Sequence, residues 1–120
     1  MPYIHISTSR ALTDGEKQSL KACALNAAAL LHKNRVHVMV HIQDGQALTK
    51  GDEPGGCAFC DVRVMGAATA DDCDRFSCAL STDIARIAQT APGCVYLSLS
   101  ELTLCYTDGK LPPGHGHPKV

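Results

Sequence analysis

Apolar and polar residues alternate along several short segments of the chain, and this two-residue period predicts β-strands. In the first segment Ile4 and Ile6 share one side, while Tyr3 and His5 share the other. The predicted strands span Pro2 to Thr8, Val36 to Gln43, Ala58 to Met65 and Val95 to Leu99, with a weaker fifth from Leu102 to Tyr106. Such alternation is typical of strands with one buried face and one accessible face.

Two segments between these strands carry the spacing of amphipathic helices. The first follows Thr13-Asp14-Gly15-Glu16, a capping-box pattern, and we expect it to close at Asn34. The second begins between Thr69 and Asp72, where acidic residues suit the positive end of the helix dipole, and stops before Pro92-Gly93.

The order of elements predicts an α+β (α/β) fold built from two β-α-β units. A polar, glycine-rich loop from Asp44 to Gly56 separates the two units. Each unit is a crossover connection and therefore needs parallel strands. We expect a four-stranded mixed sheet with both helices on one face. Residues 1–106 form a single domain in this prediction, and residues 107–120 form a C-terminal tail.

The face of the sheet without helices is expected to meet another subunit. Four of its residues are weakly polar or apolar, namely Met39, His41, Phe59 and Met65. A sheet face of this character is seldom left in water, so the pattern predicts an oligomer.

Composition and charge exclude several classes of partner. The chain has 120 residues and a formal net charge of −1, so it offers no basic field for nucleic acid or an anionic membrane. No apolar run approaches the roughly 20 residues that span a bilayer. The segment MPYIHISTSR lacks the features of a secretory signal, so we expect a cytoplasmic protein.

Seven cysteines are many for this length, but an odd number does not suit a disulfide framework. Most of them occupy apolar positions, where a reduced thiol acts as a small hydrophobe. Cys57 and Cys60 form a Cys-x-x-Cys motif, which suggests thiol–disulfide exchange as an alternative function. In an extended strand the two residues would lie about 10 Å apart and face opposite ways. A bridge could close only if Cys57 lay in a preceding turn.

The cysteine and histidine spacing does not predict a metal site. The motif lacks a second pair at zinc-finger spacing, because Cys73 and Cys78 lie five apart on a predicted helix. His37 and His41 would be about 13 Å apart along a strand. His115 and His117, in the tail, are the remaining closely spaced pair.

A set of motifs in register resembles the tautomerase superfamily, and within it the macrophage migration inhibitory factor group. The motifs are Pro2 after the initiator Met, Lys33, Cys57-Ala58-Phe59-Cys60, Met65-Gly66 and Val95-Tyr96. The resemblance extends from Pro2 to Glu101. It implies a homotrimer with an N-terminal proline in a pocket between neighbouring subunits. It also implies cofactor-free keto–enol tautomerisation of a small aromatic 2-oxo acid such as phenylpyruvate, or of dopachrome.

The resemblance assigns catalytic roles to Pro2 and Lys33. Once Met1 is removed, Pro2 is a secondary amine, and an ordinary α-amino group titrates at about 7.7–8.0. Burial and the Lys33 ammonium would lower the pKa of that amine, leaving a neutral base at pH 7. Lys33 would also bind the substrate carboxylate, while Met65, Tyr96 and Ser98 would contact the substrate.

The chain departs from the family pattern in three places, which bear on substrate choice and catalytic strength. Thr49-Lys50-Gly51 stands where the family usually carries Phe-Gly-Gly, and Ser98 stands where close relatives often carry Asn. The usual aromatic C-terminal segment is replaced by Lys110 to His117. These differences keep a second hypothesis open, a binding or signalling protein with little catalysis that could leave the cell without a signal peptide.

Overall fold

The protein consists of a four-stranded sheet and two long helices, and the computed structural model describes residues 1–66 and 68–111. The strands are β1 (Pro2–Thr8), β2 (Met39–Gln43), β3 (Ala58–Met65) and β4 (Val95–Leu102). The helices are α1 (Asp14–Ala28) and α2 (Ala70–Ala88). Short 3₁₀ turns occupy Ala29–Leu31, Arg35–His37 and Pro92–Cys94.

The strand order is β2-β1-β3-β4, which confirms the predicted pair of β-α-β units in one mixed sheet. β1 runs parallel to β2, and β3 runs parallel to β4. The two units meet through the antiparallel pair β1–β3, in which Pro2 lies opposite Val64 and Thr8 opposite Ala58. The N-terminus therefore lies beside the end of β3.

Both helices cover the same face of the sheet and bury its alternate residues. Along β1 the exposure pattern alternates strictly, with Ile4 and Ile6 fully buried. From α2, Phe76 and Leu80 are also fully buried against this face. Burying one such side chain contributes about 1.5–3 kcal/mol to the free energy of folding. The apolar layer between the sheet and the helices therefore holds the two β-α-β units together.

The predicted capping box begins α1. Thr13 Oγ1 accepts from the Glu16 backbone N–H at 3.1 Å, and Glu16 Oε1 accepts from the Thr13 N–H at 2.9 Å. These hydrogen bonds, with the nearby Arg10 guanidinium, lower the pKa of the Glu16 carboxyl. Arg10 also donates to the Ile87 carbonyl at 2.8 Å, so one side chain joins the start of α1 to the end of α2.

The prediction that β2 begins at Val36 is wrong, since the strand begins at Met39. Arg35–His37 instead forms a 3₁₀ turn, and the Asn34 side chain accepts from the Val36 N–H at 3.1 Å. Val36 is 75% exposed, so its place in the alternating pattern does not bury it. Asn34 likewise does not close α1, which ends at Ala28.

The predicted fifth strand is not formed, and the predicted fourth strand is longer than expected. β4 continues to Leu102 because β3 offers it partners as far as Met65. Beyond it, Thr107 and Lys110 form an isolated bridge. The predicted tail is described only as far as Leu111.

The helix-free face of the sheet carries a polar network as well as exposed apolar residues. Tyr3 Oη and His41 Nδ1 lie 2.7 Å apart, and the His5 and His41 rings stack with centroids 4.2 Å apart. Met39 and Phe59 are exposed as expected, whereas Met65 is only 4% exposed, although it follows Arg63 by two residues on β3. Neither long helix combines the length and apolarity needed to cross a bilayer.

Candidate active site

The backbone of Met65 joins the N-terminus to Lys33. Its N–H donates to the Met1 carbonyl at 3.3 Å, which continues the ladder between β1 and β3. Its own carbonyl accepts from Lys33 Nζ at 2.8 Å. Pro2, Lys33 and Met65, which are far apart in sequence, are therefore brought to one corner of the sheet.

Lys33 reaches this corner because the chain turns sharply after α1. His32 adopts a left-handed conformation with φ 57°, and the Lys33 N–H bonds back to the Ala28 carbonyl at 3.2 Å. His32 Nε2 also lies 3.0 Å from Asp72 Oδ2, which ties the turn to α2. Within residues 1–66 and 68–111, Lys33 forms no ion pair. Its positive charge is therefore available to a ligand.

Pro2 is fully buried on the helix-covered side of the sheet. Its neighbour Met1 forms part of the wall of a cleft of about 650 Å³. His37, Met39, Tyr106 and Lys110 contribute to the same wall. Because a peptide bond joins Met1 to Pro2, loss of Met1 would leave a free Pro2 nitrogen next to the residue that now lines this cleft. It would also leave the Met65 N–H without its acceptor.

Tyr96 and Ser98 lie elsewhere in the same chain. Tyr96 pairs with Phe59, whereas Pro2 pairs with Val64, so about 17 Å of β3 separates the two positions. Both Tyr96 and Ser98 are exposed on the helix-free face, opposite the face that buries Pro2. The structure therefore unites Pro2 with Lys33 and Met65, but not with Tyr96 or Ser98.

A second cavity, of about 360 Å³, lies beside Tyr96. Its walls are mostly apolar and include Phe59, Leu48 and Ala58. Lys50 also lines it: Lys50 Nζ lies 5.4 Å from the centre of the Tyr96 ring and donates to the Gly93 carbonyl at 2.8 Å. In the sequence, Lys50 differs from the family pattern, and that difference is the signal that could have pointed to a role for it.

The geometry of Cys57 and Cys60 weighs against thiol–disulfide exchange. Both thiols are free and buried. Cys57 does not lie in a turn, because its carbonyl accepts from the Ser9 N–H at 3.0 Å and so extends the β1–β3 ladder. Burial, with a smaller effect from Asp61, raises the pKa of the Cys60 thiol to about 12. A thiol of this kind carries almost no thiolate at neutral pH, and the thiolate is the reactive form.

The described residues contain no group of three or more side chains that could hold a metal ion. His115 and His117 lie outside the described residues.

The sequence and the fold match known proteins. The family model for macrophage migration inhibitory factor (MIF) matches residues 1–104, so the chain belongs to the MIF family, within the tautomerase superfamily. The fold is similar to MIF2 of Leishmania major, with TM-score 0.85 and 17% identity over 92% of this chain and 97% of that one. No curated protein sequence matches the chain.

Two further solved structures share the fold. The MIF homologue of Prochlorococcus marinus has TM-score 0.81 and 19% identity, over 91% of this chain and 97% of that one. Pt0534 inactivated by 2-oxo-3-pentynoate has TM-score 0.79 and 16% identity, over 91% of this chain and 95% of that one.

Proposed function

We propose that the protein is a cofactor-free keto–enol tautomerase whose substrate is a small aromatic 2-oxo acid such as phenylpyruvate. The observation that supports this most strongly is the pair of hydrogen bonds at the Met65 backbone. One reaches the residue directly before Pro2, and the other reaches the Lys33 ammonium. A base, a cation and a backbone donor are thus grouped at one corner, as a proton transfer at carbon requires.

Pro2 is the general base in this proposal. Removal of Met1 turns its amide nitrogen into a secondary amine, whose neutral form takes a proton from C3 of the keto acid. The electron pair of the broken C–H bond forms the C2–C3 double bond, and the C2 oxygen becomes an enolate. The proton then passes to that oxygen to give the enol, and the reverse sequence regenerates the ketone. The protons and electrons of this reaction balance without a cofactor.

Lys33 and Met65 stabilise the charge that develops on the substrate. The Lys33 ammonium binds the carboxylate or the enolate oxygen, and its position against Met65 is already fixed by a hydrogen bond. The Met65 N–H, freed from Met1, becomes a donor to the same oxygen. Hydrogen-bond donors that are already in position before the reaction stabilise the developing charge without reorganisation. For this reason electrostatic stabilisation of the transition state is large in many enzymes.

A second chain completes the pocket. Tyr96 and Ser98 lie about 17 Å and about 10 Å along β3 from the position that pairs with Pro2, and on the opposite face of the sheet, so they do not reach Pro2 within one chain. In a homotrimer of this chain, as the family resemblance implies, the Tyr96 end of one subunit would face the Pro2 corner of its neighbour. We propose this arrangement for a cytoplasmic protein. The inactivator of Pt0534 is itself a 2-oxo acid, which agrees with the proposed substrate class.

Subunit mixing tests the shared pocket. One chain carries Pro2→Gly, and a second, with a different tag, carries both Tyr96→Ala and Ser98→Ala. Each alone should be nearly inactive on phenylpyruvate. In a trimer formed from equal amounts of both, one pocket in four, about 25%, would combine an intact Pro2 with an intact Tyr96 and Ser98. The unfractionated mixture should recover about that share of the wild-type rate. Trimers purified through both tags contain one such pocket in three and should recover about a third of it, whereas a pocket within one chain would give no recovery.

A further inference from the structure

Lys50 is the charged side chain that the proposed reaction leaves unused beside Tyr96. It is half-buried, and its Nζ is held by the Gly93 carbonyl at 2.8 Å. An ammonium has three donors, so this bond leaves the others for a ligand. Among the residues that the structure describes, no carboxylate pairs with Lys50. The cation is therefore fixed in place and not neutralised.

The cavity beside Lys50 has the size and lining of a small-molecule site. Its volume is about 360 Å³, and Phe59 and Tyr96 supply aromatic walls. Small-molecule sites are mostly apolar clefts in which a few polar groups fix the orientation of the ligand. Among the described residues of the lining, Lys50 is the one basic side chain. An aromatic ring carrying an acidic group suits this combination better than a neutral ring.

The geometry points to Lys50 as a specificity-determining residue, which binds a second acidic group at the far end of an aromatic 2-oxo acid. This inference rests on the proposed function, because only the shared pocket brings the Tyr96 end to Pro2. Lys33 would then bind the carboxylate next to the reacting carbon, and Lys50 a carboxylate on the ring. The preferred substrates would be aromatic 2-oxo dicarboxylates rather than phenylpyruvate.

The test compares kcat/KM for 4-carboxyphenylpyruvate with kcat/KM for phenylpyruvate. The wild type should favour the dicarboxylate. Lys50→Met removes the charge and keeps a similar length, so the ratio of the two values should fall about tenfold, as expected for loss of one hydrogen bond to a charged group. Lys50→Arg keeps the positive charge, so its preference for the dicarboxylate over phenylpyruvate should stay close to that of the wild type. Lys21→Met, at an exposed position of α1, is the matched control and should leave the ratio unchanged.

Calorimetric binding of 4-carboxyphenylpyruvate separates this inference from the proposed function. If the wild type turns over neither substrate, the proposed function fails, but weaker binding to Lys50→Met would still support the acidic subsite. If phenylpyruvate is turned over and Lys50→Met changes neither the ratio nor the binding, the subsite is overturned while the proposed function stands.

Discussion

Replacing Pro2 with glycine is expected to lower kcat/KM for phenylpyruvate tautomerisation by about 10²–10⁴-fold, the usual contribution of a positioned general base. The Pro2 ring is fully buried and pairs with Val64, so the strand fixes the direction of its nitrogen. Glycine in its place offers a primary amine on a residue with no side chain to bury. The proton acceptor is then no longer held against the reacting carbon.

The controls for this variant are its fold and its N-terminus. Circular dichroism and the mass of the oligomer should match the wild type, and mass spectrometry should show that Met1 is absent from both proteins. A correctly processed Pro2→Gly protein with wild-type activity would show that Pro2 is not the base.

Replacing Lys33 with alanine is expected to change both the pH profile and the affinity for substrate. An ammonium beside the Pro2 amine disfavours its protonation, so removing the Lys33 charge should raise the pKa of the Pro2 amine. Pro2 would then stay protonated to higher pH, and the acidic limb of kcat/KM would move upward. Loss of the contact to the substrate carboxylate should separately raise KM by about tenfold.

Lys21→Ala is the matched control, since it removes a lysine from an exposed position of α1. Its pH profile and KM should equal those of the wild type. If Lys33→Ala raises KM and leaves the acidic limb in place, Lys33 binds substrate without tuning the base. If neither quantity changes, Lys33 has no role in the reaction.

Much of the fold could be predicted from the sequence because its signals are local. Alternation along β1, and along β3 as far as Val64, indicates burial on one face, and the Thr13–Glu16 capping box depends on residues three apart. The start of β2 was misplaced because Val36 continues the alternation, although the Asn34 side chain holds a 3₁₀ turn there. The end of β4 depends on partners supplied by β3, which the sequence of β4 does not reveal.

The candidate site was only partly predictable, since its contacts join distant segments. The family resemblance pointed to Pro2 and Lys33, but their connection through the Met65 backbone depends on the pairing of β1 with β3. The alternation of β3 places Met65 on the same side as the exposed Phe59, and it does not reveal that Met65 is buried. The role proposed for Lys50 depends on the loop before β3 folding over Tyr96.

The most direct test of Pro2 as the general base is the rate of phenylpyruvate tautomerisation by the wild-type chain with Met1 removed, measured beside a chain in which an N-terminal extension precedes Pro2. Mass spectrometry establishes the first residue of each protein. We expect activity in the processed chain and almost none in the extended one, because an amide nitrogen cannot act as the base. Equal activity in both would contradict the role of the Pro2 amine, and inactivity of the processed chain would favour a MIF-family binding protein with little catalysis.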